Sequence, residues 1–260
     1  MTATMTARRV LLPVLLTFAA LQPIAAQERK NIFADPQNLK VLPENISASA
    51  LRATMKGIAM GTGLRCESCH VGEAGQPLTT FDFASDEKAL KEQARVMLRM
   101  VLKINGELVP ELDDVVDDEF GAGNRTEVRC VTCHRGRAKP RLIEDVLDEK
   151  LATGGTQAAV KEYESLREQY YGGFQFDFSE MVLPMYAQRL AATGNAEAAL
   201  AFARTNVSHY PTSAMSVYTL AELYAAAGNA ELAIENYQKV IDVAPQFAPQ
   251  VKPKLEALMK

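Results

Sequence analysis

Cys66-Glu67-Ser68-Cys69-His70 and Cys130-Val131-Thr132-Cys133-His134 use all four cysteines and two of the three histidines in this 260-residue chain. Two thiols separated by two residues match the reach across a porphyrin edge, and the adjoining histidine can turn beneath the ring to its iron. One such pentad can arise by accident, but two that account for every cysteine carry a strong signal. They predict two covalently attached c-type haems. Cys66 and Cys69 hold the first through thioethers, with His70 on its iron; Cys130, Cys133 and His134 do the same for the second. Other uses of the cysteines fit less well. The gap from Cys69 to Cys130 far exceeds a zinc-ribbon spacing and leaves the histidines unexplained. A thioredoxin-like redox pair needs a βαβ context. Disulfides between cysteines three apart are strained and staple nothing.

The chain opens with a secretory layout: Arg8 and Arg9, an apolar run from Val10 to about Leu21, then Ile24-Ala25-Ala26 before Gln27. Residues 1–26 are read as a signal peptide cleaved after Ala26, which places the mature chain in the periplasm. The run is short for a membrane span and carries Pro13 and Pro23, so membrane association would come only from an uncleaved leader or from a partner. Losing Arg8 and Arg9 takes the formal charge from −4 to −6. An acidic surface argues against nucleic acid and allows docking to a basic partner.

Along the chain, residues 27–46 read as an extended, proline-dotted arm. Ser47 or Ser49 caps a helix to about Met60, ended by Gly61 and Gly63. After the first pentad, Gly72 to Phe83 reads as a loop. Ser85 or Asp86 then caps a helix ending at Asn105-Gly106, with an apolar stripe of Leu90, Ala94, Met97, Val101 and Ile104. Residues 107–129 form an acidic loop, and Arg135 and Arg137 are candidate partners of haem propionates. Residues 141–171 give one or two amphipathic helices.

The C-terminal part repeats. Gly194-Asn195-Ala196-Glu197 recurs as Gly228-Asn229-Ala230-Glu231, and Tyr210-Pro211 aligns with Ala244-Pro245, each at an offset of 34. A period of 34 with small residues at the helix crossing and proline at the end is the tetratricopeptide pattern. Stacked pairs of this kind form a face that holds a partner. His209 falls in this register and reads as structural. The expected architecture is all-α: a dihaem cytochrome c domain over 27–140, a helical connector over 141–177 and tetratricopeptide-like repeats over 178–260.

A low-spin iron needs a sixth ligand, and methionine sulfur raises the potential. Met55 lies eleven residues before Cys66 on the helix that feeds the first pentad, whereas Met60 lies close to the turn. Met97 and Met100 share the helix before the second pentad. A methionine on an apolar stripe is more commonly core filler.

Several stretches resemble the photosynthetic reaction-centre cytochrome c subunit family: Asn38-Leu39-Lys40-Val41-Leu42-Pro43, the first pentad with its helix, Asp82-Phe83-Ala84-Ser85-Asp86, Arg95-Val96-Met97-Leu98-Arg99-Met100 with Ile104-Asn105, and Cys133-His134-Arg135-Gly136. The resemblance spans roughly residues 35–140. It implies that a helix runs parallel to each haem and that most haems take a methionine from it. Met55 would then ligate the first iron and Met97 the second, with Met100 as second choice. The chain departs from tetrahaem members in having one haem pair and a repeat domain.

Together these features predict a periplasmic dihaem electron carrier serving redox partner proteins, such as a membrane electron-transfer complex, docked through its repeats and without catalysis of its own. A dihaem peroxidase with one open iron, or a haem-bearing assembly scaffold, are the rival readings. The peroxidase would need an iron lacking its methionine.

Overall fold

A computed structural model describes residues 31–111 and 127–260. The leader and most of the acidic loop lie outside the described residues. Those described are helical, with one isolated antiparallel bridge, Val71 to Asp82, and no strand. None of their helices is long and apolar enough to cross a membrane.

Helix α1 (Ala48–Thr62) starts where its cap predicts, with the Ser47 side chain accepting from Ala50 N, and ends at Gly63 in the left-handed region (φ 69°). Gly61 is not the stop but a contact. A Cβ there would sit 2.7 Å from Cys130 Cβ and 2.8 Å from Val131 N, so only glycine lets α1 approach the second pentad this closely. The first pentad forms a single turn, α2 (Cys66–Cys69).

Helix α3 (Ala89–Lys103) begins later than Ser85 or Asp86, at Lys88 as N-cap, because Asp86 has other partners. Nor does it stop at Asn105-Gly106. It runs on through a π-helical turn, Ile104–Leu108, into a last short turn, α4 (Val109–Glu111). The second pentad forms α5 (Cys130–His134).

The two halves are exchanged. The helix leading to the first pentad, α1, packs on α5 of the second; the helix leading toward the second, α3, packs on α2 of the first. Gly136 N donates to Gly61 O at 2.7 Å, and Lys88 Nζ donates to Glu67 O.

Beyond residue 141 a conventional core begins. Helix α6 (Ile143–Tyr170) bends at Gly155 (φ 76°), which divides it into the two segments the sequence allows. Then come α7 (Val182–Ala192), α8 (Ala196–His209), α9 (Ala214–Ala226), α10 (Ala230–Val243) and α11 (Ala248–Leu258). Asn195 and Asn229, 34 residues apart, cap α8 and α10 in the same way, each after a glycine with positive φ. Two like helical hairpins result, α7–α8 and α9–α10. Small residues at their crossings, Ala199 and Ala233, are fully buried, beside Phe202 and Tyr237. The α6 residues Ile143, Leu147, Ala159 and Tyr163 enter the same core, so α6 packs as the first layer of this stack. His209 Nε2 meets the Glu164 carboxylate at 3.0 Å, a structural tie between α8 and α6.

Gly61→Ala should destabilise the protein by about 1–3 kcal/mol, the usual cost of overpacking a close contact. Thermal unfolding measures it, and Gly57→Ala, on the same helix with nothing within 4 Å, is the control expected to be stabilised by about 0.5–1 kcal/mol.

Candidate haem sites

Residues 31–141 have little apolar core of their own. Leu51 and Phe81 are their buried hydrophobic side chains among the described residues. Other apolar groups line a cavity of about 500 Å³. Met55, Cys66, Cys69 and His70 all face it, with Leu51, Ile58 and Ala59 of α1, Ala94 and Leu98 of α3, and Phe81 and Phe83 of the loop. Its volume falls in the range of sites that enclose a cofactor-sized molecule.

No disulfide pairs any of the four cysteines. Burial pushes the Cys69 and Cys130 thiols up in pKa. The His70 ring packs edge-on against Phe83, 4.9 Å between centroids, and its buried Nδ1 has no hydrogen-bond partner among the described residues. Burial pushes this imidazole down in pKa, and the nearby Lys91, Arg95 and Lys88 charges push it further, so it is held in the neutral, ligating form. A neutral imidazole, two thiols and a thioether converge on one apolar cavity, and this donor set fits a c-type haem.

The arm predicted before α1 folds back over this cavity, where residues 31–42 form one wall. It is anchored at Asn38, which takes a left-handed conformation (φ 64°) and donates to Ala84 O at 2.6 Å and Asp86 Oδ1 at 2.9 Å. Asp86 also holds Lys40 at 2.6 Å, Arg95 at 2.8 Å and Lys91 at 3.1 Å. Hydrogen bonds from Lys40, Asn38 and Lys91 hold its carboxyl far below the usual range. Lys91 and Arg95 are each only 8% exposed. The Lys91 ammonium is satisfied by the carbonyls of Phe83, Ala84 and Ser85, and Arg95 donates to Asn38 O. Sequence reasoning missed this cluster. Asn38, Lys40, Asp86 and Arg95 appear in the family-like stretches and Lys91 does not, and no local spacing connects Asn38 to Asp86.

At the second pentad, His134 Nδ1 lies 2.8 Å from Arg137 O. The carbonyl can only accept, so Nδ1 carries the proton and Nε2 keeps its lone pair for a metal. A smaller cavity of about 310 Å³ is lined by Cys133, His134, Arg135, Arg141 and Gln175. Arg135 therefore stands where a propionate contact is possible. Arg137 instead stacks its guanidinium on Phe176, 4.0 Å from the ring centroid.

Met97 lines neither cavity. It is 37% exposed on α3, and Met100 is 47% exposed. The predicted stripe splits: Ala94 faces the first cavity with Lys91, Arg95 and Leu98, while Leu90 and Met97 lie on another, more open face. Helix α3 thus serves the first site with one face and presents Met97 on another. Met55 is brought to its pentad; Met97 is placed on the expected helix, outside these two cavities. Among the described residues no cluster of three or more histidine, cysteine or acidic side chains forms a separate metal site.

A family model described as photosynthetic reaction centre cytochrome C subunit matches residues 16–199, which takes in both pentads and reaches through α6 and α7 into α8. No curated protein matches the chain.

Asp86→Asn should release the arm, seen as faster amide exchange and proteolysis within residues 31–42. A carboxylate with a depressed folded pKa contributes stability above its unfolded value, about 4, and loses it only as pH falls below that toward the folded value. Protection of the arm should therefore be unchanged between pH 7 and pH 5 and decline only below about pH 4.

Proposed function

The chain belongs to the photosynthetic reaction centre cytochrome C subunit family, and from that membership we propose that it is a periplasmic dihaem c-type cytochrome passing electrons one at a time between redox partners. Cys66, Cys69, His70 and Met55 hold the first haem; Cys130, Cys133, His134 and Met97 hold the second. The observation that carries this reading is the convergence of Met55, Cys66, Cys69 and His70 on one apolar cavity. The second pentad supports a second haem through its identical spacing and through the tautomer that the Arg137 carbonyl imposes on His134.

When bound, haem supplies a reversible one-electron couple at its iron. The protein's part is to hold and insulate. The thiols fix the porphyrin edge, His70 and Met55 approach from opposite elements, and the arm keeps water from the first site. Lys91 and Arg95 place positive charge beside it, which favours the reduced state. The hairpins from Val182 onward, read as tetratricopeptide-like, offer a docking face for a membrane electron-transfer complex. A charged partner fits the acidic balance of the mature chain.

The mature protein should carry two haem masses that survive acid acetone, on a chain starting near Gln27. A mass for the bare chain would remove the reading. Met55→Ala should abolish the sulfur-to-iron charge-transfer band of one haem and lower its potential, and Met97→Ala should do the same to the other. If Met97→Ala and Met100→Ala both leave the bands intact, the second iron has another ligand, and the peroxidase reading is then the one to pursue.

A further inference from the structure

The acidic loop separates α4 from the second pentad in sequence, yet one side chain joins the two across it. Asn105 Nδ2 donates to Val128 O at 2.7 Å, and Val128 N donates to Asn105 Oδ1 at 2.8 Å. Val128 stands two residues before Cys130, and Asn105 stands two residues beyond the end of the helix that carries Met97.

We propose that Asn105 is the positioning residue of the second haem site, clamping the attachment helix to the methionine helix so that Met97 and His134 are held in fixed register.

The chemistry explains the residue type. An amide offers a donor and an acceptor side by side, and it can therefore pair with both the N–H and the C=O of one backbone residue. Aspartate can only accept, and an apolar side chain can do neither. The local backbone fits the role. Asparagine followed by glycine ordinarily ends a helix, since its side chain competes for backbone hydrogen bonds. Here that side chain is engaged by Val128, and the chain continues through a π-helical turn, a feature that recurs at functional positions.

The lever is short. Met97 lies eight residues before Asn105, about 12 Å along the helix. A slip of one residue at the clamp would move Met97 by about 1.5 Å and turn it by about 100°. An iron–sulfur bond does not tolerate that. The attachment helix is also tied to α1 at both ends, through the contact of Gly61 with Cys130 at its start and Gly136 N to Gly61 O beyond its end. Those contacts set the pentad against α1, and Asn105 adds the tie that sets it against helix α3.

This inference rests on the reading of Met97 as the second sixth ligand, and the test separates the two. Asn105→Ala and Asn105→Asp are made in the full haem-loaded protein, beside Met97→Ala. Spectra, potentiometric titration and amide exchange at Val128 are the readouts. Asn105→Ala should weaken the charge-transfer band of the second haem, lower its potential and speed Val128 exchange by about tenfold, what the loss of one net hydrogen bond permits. The first haem should keep its band and potential, which also shows that the variant folds. Asn105→Asp keeps one of the two bonds and should fall between. If Met97→Ala perturbs the second haem while Asn105→Ala does not, the clamp is overturned and the ligand stands. If Asn105→Ala perturbs it while Met97→Ala does not, the clamp stands and the ligand assignment fails. Equal damage to both haems in both Asn105 variants would mark a general structural role and overturn the positioning claim.

Discussion

Each haem-attachment turn is too short to hold itself in place, so its position depends on the long helix that leads to the other one. Helix α1 presses Gly61 against Cys130, and α3 packs on the turn containing Cys66 and Cys69. A four- or five-residue helix has almost no free hydrogen bonds of its own to gain, and isolated turns are unstable in water. The exchange solves this by making each pentad part of a helix–helix contact. It also means that neither half is an independent unit. A change in the entry helix of one site reaches the attachment turn of the other, and the two sites are held at one separation by close helix contacts. For the two-centre electron carrier proposed above, a fixed separation is the property that matters most.

The second organising feature is charge placed where charge is costly. Two cations at 8% exposure beside an apolar cavity would be destabilising alone. Lys91 is made tolerable by three carbonyls and Arg95 by a carbonyl and two carboxylates, Asp86 and Glu92. The same Asp86 reaches Asn38 and Lys40 on the arm. One carboxylate thus closes the arm over the first site and offsets the buried cations that line it. Covering the cavity and setting its electrostatics are the work of a single cluster.

Much of this was legible in the sequence. The pentads, Ser47 as cap, Met55 on the first helix, the 34-residue repeat and the structural role of His209 could all be read locally, because each depends on spacings within one helix or one turn. What could not be read depends on contacts across the chain. The helix expected to start at Ser85 or Asp86 starts at Ala89 because Asp86 is drawn to Lys40 and Asn38, more than forty residues away. The stop expected at Asn105-Gly106 does not occur because Val128 satisfies the asparagine. In both cases a side chain that caps or ends helices by default found a better partner elsewhere. Gly61 misleads for a similar reason: it looks like a terminator and serves as a contact surface.

The C-terminal stack also bears on the haem sites more directly than a linked docking module would. Helix α6 shares its core, and the loop after α6 reaches back to the second pentad: Phe174 and Gln175 lie against Gly136, and Phe176 carries the Arg137 guanidinium. Arg137 in turn supplies the carbonyl that fixes the His134 tautomer. A continuous path of packed groups therefore runs from Tyr163 in the helical core, through Phe178 and Phe176, to the backbone that orients His134. Removing the stack at Gly173 would strip Phe176 from Arg137 and expose Ile143, Leu147 and Tyr163 at once. The loop that joins α6 to the helical stack therefore backs the second pentad, and the packing of that stack bears on the element that carries His134.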